Sequence, residues 1–411
     1  MIIKPLFSNL PSNWETTTLG EACRRGGGLI QTGPFGSQLH AADYVSVGIP
    51  SIMPQNIGDN RVVPEGIARI TEEDAKRLSR YLVRKGDIVY SRRGDVERRA
   101  LITEKEEGWL CGTGCLRVSF GHFDYVDPLY ASYYLGDSAV REWIVRHAIG
   151  ATMPNLNTSI LSALPFLLPP LSEQHAIAEV LGALDDKIEL NRRMNTTLES
   201  IARAQFRQWF VENEEVDDWE VGILGDVIKV NEHSISKYYP HNEIEYIDIS
   251  SVTTGHLEGT THYSLVNAPS RARRLVNQGD TIWSTVRPNR RSYLFISNPK
   301  ENLVVSTGFA VLTPIEISPS FLYFWVTTDE FVDYLVSNAD GSAYPAVLPE
   351  RFAESEIHLP PKAMLDGFEN LAGAMLAHIA QNEIESRTLV SLRNSLLPKL
   401  MRGELHIKEI I

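Results

Sequence analysis

The sequence predicts an α+β protein made by internal duplication, two similar globular domains each followed by a long coiled-coil helix in a pseudo-two-fold repeat. Three observations predict it. A Pro-Pro pair leading into a long apolar-periodic stretch occurs twice, at Pro169-Pro170 and again 191 positions later at Pro360-Pro361. The segments before the two pairs carry the same short motifs in the same order. Within those segments β-branched and aromatic runs, broken by Gly and Pro, are interleaved with a few helical stretches, as in α+β domains.

Residues 1–167 are the first domain, 168–211 the first spacer helix, 212–358 the second domain, and 359–411 the second spacer helix with its C-terminal tail. The first domain opens on Trp14-Glu15 and Leu19-Gly20-Glu21, the second on Trp219-Glu220 and Leu224-Gly225-Asp226, an offset of 205. A strand-like run at residues 49–57 answers to residues 246–252. Gly86-Asp87 and Gly279-Asp280 each turn into a β-rich run that ends near arginines. Residues 112–116 then align with 306–310, Asp127-Pro128-Leu129-Tyr130 with Ser318-Pro319-Ser320-Phe321, and residues 150–154 with 341–345, where the offset has settled to 191. The drift from 205 to 191 belongs to loops of unequal length. Helices are expected near residues 71–84, 129–148 and 320–337.

Each proline pair forces an extended approach and then a helix start. Ile177, Leu181, Leu184, Ile188, Leu198 and Ile201 follow in the first copy. Phe368, Leu371, Met375, Ile379, Leu389, Leu392 and Leu396 follow in the second. Their steps of three and four predict a seam of about five heptads. Asn191 and Asn382 fall at matched positions in that seam and are candidates for fixing its register, at some expense in stability. Replacing Asn191 by Leu is therefore expected to raise thermal stability and loosen the pairing. A helix over residues 172–211 would span about 60 Å at ~1.5 Å per residue.

With 411 residues the chain exceeds one ordinary core, and 43% hydrophobic with 22% charged residues is the balance of a soluble globular protein. No apolar run reaches the ~18 residues of a membrane span. The opening Met1-Ile-Ile-Lys-Pro lacks the apolar core of a signal peptide, and a cytoplasmic location is expected. Cys23, Cys111 and Cys115 are too few for a disulfide framework. Cys111-x3-Cys115 has no second ligand pair at zinc-site spacing, so buried thiols are expected. A net charge of −13 argues against a protein that coats nucleic acid indiscriminately, but not against one with a focused basic face.

The motifs that suggest catalysis fall away on inspection. Asp127-Pro128-Leu129-Tyr130 approaches the Asp/Asn-Pro-Pro-Tyr/Phe loop of amino-methyltransferases, yet it lacks the second proline and no glycine-rich cofactor loop accompanies it. The duplicate, Ser318-Pro319, argues for a simpler role: Asp and Ser both cap helices, and Pro favours the first helical position. Residues 26–28 and 33–37 are glycine-rich without a following Gly-Lys-Ser/Thr. The first reads as a tight turn, whereas the second leaves open an approach of backbone amides to a nucleic-acid phosphate.

Basic residues carry more information. Arg271, Arg273, Arg274, Arg287, Arg290 and Arg291 face only Asp280 in their stretch. Arg84, Lys85, Arg92, Arg93, Arg98 and Arg99, against Asp87, Asp95 and Glu97, occupy the corresponding stretch of the first domain. Arginine grips phosphate and reads guanine with paired hydrogen bonds. Duplicated on an acidic chain, these clusters point to nucleic acid. Candidate DNA contacts are Ser37, Gln38, Gln55, Asn56, Arg92, Arg93, Arg98 and Arg99 in the first domain. In the second they are Arg271, Arg273, Arg274, Arg287, Asn289, Arg290, Arg291 and Tyr344.

The combination of the Trp…Leu-Gly-Glu opening, Gly33-Pro-Phe-Gly-Ser37, Gly86-Asp-Ile-Val-Tyr-Ser91, Leu168-Pro-Pro-Leu-Ser-Glu-Gln174 and Leu396-Leu-Pro-Lys-Leu-Met-Arg-Gly-Glu-Leu405 resembles the specificity subunits of type I restriction–modification systems, over essentially the whole chain. The resemblance implies two target-recognition domains, each reading half of a split, asymmetric site in double-stranded DNA. It implies that the spacer helices pair antiparallel and dock two methyltransferase subunits, through Leu181, Leu184, Ile188, Asn191, Leu198, Met375, Ile379, Asn382, Leu389 and Leu392. Restriction subunits join in the full complex. It further implies that S-adenosylmethionine, ATP and Mg serve those partners, leaving this chain without cofactor, metal or catalytic residues. The spacer length would then set the unread gap, since half-sites one or two duplex turns apart lie ~34–70 Å from each other. One departure stands out: Lys362-Ala-Met-Leu replaces Leu171-Ser-Glu-Gln in the second copy. A self-sufficient DNA methyltransferase and a coiled-coil scaffold that binds no DNA are the alternatives. Cofactor binding by the chain alone would favour the first, and indifference of DNA binding to Arg287, Arg290 and Arg291 the second.

Overall fold

The computed structural model describes residues 10–150, 152–341 and 344–405. Its polypeptide divides into two compact units, residues 1–188 with 388–411 and residues 189–387. The boundaries differ from a scheme in which the spacer helices stand apart as their own domains. Each helix contributes one part to each unit, because its apolar residues pack into the globular cores. Among the described residues no helix is long and apolar enough to cross a membrane.

In the first unit a sheet runs in the order Gly27–Thr32, Cys115–Gly121, Ile88–Ser91, Arg99–Leu101, Asp59–Asn60. A second, three-stranded sheet places Ile49–Ile52 between Ala68–Ile70, antiparallel, and Leu110–Cys111, parallel. A two-stranded ribbon pairs Glu15–Thr18 with Pro165–Leu168 just before the first proline pair. The expected helical stretch near 129–148 is two helices, Pro128–Tyr134 and Ser138–His147, each capped by an aspartate: Asp127 accepts from the Tyr130 amide at 2.8 Å, and Asp137 from that of Ala139 at 2.8 Å. Tyr130 and Tyr134 are buried against Phe166, the latter with ring centroids 4.9 Å apart in edge-to-face contact. Ile177, Ala178 and Leu181 of the first long helix, and Leu400 and Met401 of the last, complete this core.

The second unit repeats the plan. Ile228–Val230, Phe309–Pro314, Thr281–Ser284 and Tyr293–Phe295 form a sheet with the same order as the first four strands above. Its companion sheet holds Thr261–Ser264, Glu243–Ile247 and Leu303–Ser306, and adds an edge strand, Ala272–Leu275, that carries Arg273 and Arg274 of the basic stretch. The Gly-Asp turns are superimposable in logic. Gly86 and Gly279 sit at φ 87° and 86°, where a side chain would be strained. The buried carboxylates of Asp87 and Asp280 accept from the amides of Arg84 (2.9 Å) and Asn277 (2.6 Å). Phe206 and Phe210 of the first long helix enter an aromatic core with Phe321, Phe324 and Phe368.

The first long helix runs unbroken over Leu171–Phe210. The second does not. It starts at Lys362–Phe368, passes through one π-helical turn, Glu369–Gly373, and resumes as Ala374–Met401. That turn shifts the buried face. Phe368, Ala372 and Leu376 are buried, whereas Leu371 and Met375, expected in the seam, are only half-buried. Ile201 and Leu392, also expected there, are each 44% exposed. The cores select different neighbours: Ala202 and Phe206 in one helix, Leu400 and Met401 in the other.

Within the second unit the helices run antiparallel. Asn191 Nδ2 donates to Glu385 Oε2 at 2.8 Å and to Ser386 Oγ at 3.3 Å, while one turn on Asn195 accepts from Asn382 Nδ2 at 2.8 Å. Both matched asparagines are buried. In the first unit Arg393 donates to Asp185 at 2.6 Å, and the same carboxylate accepts from the Tyr133 hydroxyl at 2.6 Å.

The sequence departure after the second proline pair has a structural counterpart. In the first unit Gln174 ties the long helix to the globular domain: its Oε1 accepts from the Asp127 amide at 2.9 Å and its Nε2 donates to the Pro169 carbonyl at 2.8 Å. In the second, Glu369 within the π turn takes over, accepting from the Ser320 amide at 2.9 Å and hydroxyl at 2.6 Å.

Candidate nucleic-acid interface

In each unit the strand after the Gly-Asp turn delivers the chain into an arginine-bearing loop that is fastened by backbone hydrogen bonds. In the first unit the Arg92 amide donates to the Gly114 carbonyl at 2.8 Å, and Ser91 Oγ donates to the Arg93 carbonyl at 3.0 Å. In the second the Thr285 amide donates to the Gly308 carbonyl at 2.9 Å, and Ser284 Oγ donates to the Val286 carbonyl at 2.9 Å.

A second loop is laid against the first in both units. Ile149 and Asn155 exchange two backbone hydrogen bonds, of 2.9 and 2.8 Å, as do Asp340 and Ala346, both of 2.9 Å. The Gly94 amide then donates to the Pro154 carbonyl at 3.0 Å, and the Arg287 amide to the Pro345 carbonyl at 2.7 Å. Ala151, Ser342 and Ala343, within the compared 150–154 and 341–345 motifs, lie outside the described residues.

Side chains converge on these loops. In the first unit the Arg92 guanidinium lies 5.9 Å from the ring centre of Phe35, an exposed residue of the 33–37 loop. That loop approaches closely: a Cβ on Gly33 would stand 2.1 Å from the Gly112 carbonyl. Ser37 and Gln55 are exposed at the surface, as is Arg93. Gln38 braces the loop, accepting from the Tyr81 hydroxyl at 2.9 Å and the Phe35 amide at 3.2 Å. In the second unit the Arg287 guanidinium lies 4.3 Å from the ring centre of the exposed Tyr344. Asn289 and Arg290 are exposed on the same turn, and Arg291 pairs with Asp329 at 2.5 Å. Arg271 joins this end of the sheet, because its carbonyl accepts from the Thr307 amide at 2.8 Å, beside Gly308. Arg273 is exposed further along the edge strand, and Arg274, half-buried, reaches Ser234 Oγ at 3.4 Å.

Two expected contacts are corrected. Arg99 is buried, and its Nε donates to the Ser132 carbonyl at 2.8 Å, so it fastens a strand to a helix. Asn56 is buried too. Its Oδ1 accepts from the Met53 amide at 3.2 Å and its Nδ2 donates to the Val63 carbonyl at 3.1 Å, closing a turn. Arg98 is exposed but held by Asp95 at 2.6 Å. The strand Ile88–Ser91 also puts Arg84 and Lys85 at the opposite end from Arg92, dividing a stretch that looks continuous in the sequence.

Phe35 and Met153 were not among the candidates. The signal for Met153 was its alignment with Tyr344. Cys23, Cys111 and Cys115 are free, buried thiols, and burial pushes Cys23 and Cys111 up to about 12. Among the described residues no three His, Cys, Asp or Glu side chains gather to hold a metal ion.

Two matched α+β units, each presenting a cationic and aromatic loop cluster from the end of an inner strand, define a duplicated recognition protein. The chain belongs to the family of type I restriction modification DNA specificity domains, whose sequence model matches residues 11–200 and 216–385. It is 23% identical to the type I restriction enzyme MjaIX specificity subunit of Methanocaldococcus jannaschii, over 98% of this chain and 96% of that one. It is 21% identical to the HindI specificity subunit of Haemophilus influenzae, over 87% and 95%. The crystal structure of a type I restriction-modification S subunit from M. genitalium shares the fold, with a TM-score of 0.62 at 16% identity, covering 97% of this chain and 98% of that one.

Proposed function

We propose that this chain is the DNA-reading subunit of a type I restriction–modification complex, each unit's loop cluster reading one half of a bipartite, asymmetric site. The observation that carries the reading is the repetition of one construction, an arginine loop after the Gly-Asp strand fastened to a second loop by the same backbone hydrogen bonds; beside it an arginine meets an exposed ring, Arg92 with Phe35 in one unit and Arg287 with Tyr344 in the other. Arginines supply phosphate affinity, and the neighbouring polar and aromatic side chains supply contacts to bases.

In this reading the chain is not itself catalytic and works in the cytoplasm. Asp127-Pro128, its nearest approach to a methyltransferase loop, serves as a helix cap. Two methyltransferase subunits dock on the spacer helices and bring S-adenosylmethionine, and restriction subunits using ATP and Mg join them. With a net charge of −13 the chain alone binds DNA weakly and relies on these partners to enclose the duplex.

The test is to express the chain with its candidate methyltransferase subunit and map methylated adenines on a plasmid by single-molecule sequencing. A few fixed bases on either side of an unread gap are expected. A stable, cofactor-binding complex that methylates nothing would overturn the reading.

A further inference from the structure

Met153 and Tyr344 occupy equivalent places in the two units, 191 positions apart, each immediately before a proline. They are large apolar side chains left in solvent, 63% and 70% exposed. Nothing in either core requires them there, and scattered exposure of this kind is ordinary when it occurs once. Here it occurs twice at one position of a duplicated fold.

The backbone around them is among the most faithfully repeated parts of the chain. The Ile149–Asn155 and Asp340–Ala346 exchanges close each loop with the same two hydrogen bonds. The following prolines are each held by an amide of the arginine loop, Gly94 on Pro154 and Arg287 on Pro345. Two residues on, the Leu156 amide donates to the Arg92 carbonyl and the Val347 amide to the Thr285 carbonyl, both at 2.8 Å. A backbone braced in this way has little freedom left to lose when the side chain it carries meets a ligand, which is what a recognition residue needs.

We propose that Met153 and Tyr344 are the equivalent base-contacting residues of the two domains, and that the side chain at this position helps to set which base each half-site accepts. The inference rests on the DNA-reading function above. Arg287 stands beside Tyr344, its guanidinium 4.3 Å from the ring centre, and in the other unit Arg92 lies on the loop to which the Met153 loop is fastened; these arginines would hold the flanking phosphate. Thioether and phenol then meet the bases with different chemistry: Met offers a flexible apolar contact suited to a thymine methyl group or a base face, and Tyr adds stacking and a hydroxyl. Two unlike residues at one structural position suit a site whose halves differ.

The experiment maps methylated adenines for the chain with its methyltransferase subunit, comparing the natural sequence with Met153→Ala and Tyr344→Ala. Both residues are exposed, so the variants keep their cores. Each variant is expected to relax one base position in one half of the motif by roughly 5- to 100-fold, leaving the other half intact. Tyr344→Met should shift the preference where Tyr344→Ala merely weakens it. Unchanged motifs and rates in both alanine variants would overturn the inference while leaving the DNA-reading function standing. A uniform loss of methylation with no change in motif would overturn it as well, since that marks a phosphate contact. If the natural complex yields no bipartite motif, the function itself fails and the inference with it.

Discussion

Gly94 and Arg287 stand at the same point of the two domains in the same left-handed backbone conformation, at φ 74° and φ 52°. Each donates its amide to the carbonyl of the proline in the neighbouring loop. Glycine takes that conformation freely, whereas a side chain there costs about 1 kcal/mol. The second domain keeps an arginine where its twin shows that glycine suffices, and turns the guanidinium over Tyr344. Arg287→Gly is therefore expected to leave thermal stability unchanged or to raise it by up to about 1 kcal/mol. DNA binding by the assembled complex should weaken, with a salt dependence shallower by about one phosphate contact. Lower stability with unaltered binding would assign Arg287 to packing alone.

The buried asparagine pair reverses an expectation drawn from composition. Asn191→Leu looks stabilising if the seam is apolar. Yet Asn191 Nδ2 serves Glu385, Ser386 and the Asn382 carbonyl. Leucine would remove that buried donor from all three acceptors, so a loss of about 1–3 kcal/mol is expected, read as a lower denaturant midpoint. Changing Glu385 to Leu in the same chain should restore part of it.

His256 Nδ1 lies 3.1 Å from Glu383 Oε1, which joins a loop of the second recognition domain to the last helix. The hydrogen bond to Glu383 raises the histidine's pKa above its ordinary value against the opposing effect of burial, with Glu258 raising it further and Arg387 opposing. A histidine whose folded pKa is raised adds stability that is fully present below about pH 6.5 and is lost as pH climbs through the folded value. The melting temperature should therefore decline modestly from pH 6 to pH 8. The His256→Gln chain should lack that component of the slope.

Thiol chemistry offers a quick check on the first domain. Cys23 and Cys111 are buried and pushed up to about 12, and Cys115 is raised in the same way. None carries appreciable thiolate at pH 8. Iodoacetamide should leave the native chain unmodified over an hour and label three sites in denaturant. Rapid native labelling at Cys111 or Cys115 would mean that the strands carrying them open readily.

Much of this architecture was legible because the chain repeats itself. The proline pairs, the capping residues Asp127 and Ser318, and the Gly-Asp turns are local signals whose meaning one copy confirms in the other. What escaped depended on tertiary context. Arg99 belongs to an arginine-rich run, yet the pleat of a short strand turns it inward to Ser132, next to exposed Arg98. Asn56 looks like a polar loop residue until its turn closes around it. Met153 carries no sequence signal of its own, because a lone methionine reads as core. Leu371 and Met375 were placed in the seam by an uninterrupted 3.6-residue period that the π turn breaks.

That turn also makes the last helix a shaft with a built-in coupling. Upstream of Glu369–Gly373 the helix is indexed to the aromatic core through Phe368, and downstream to its partner helix through Asn382. The extra residue in the turn offsets the two settings by roughly 100°. A one-residue insertion or deletion at this spot need not derail either engagement, because a π turn and an α turn differ by that single step. Evolution could thus retune how one end of the helix is clocked against the other without redesigning the teeth at either end.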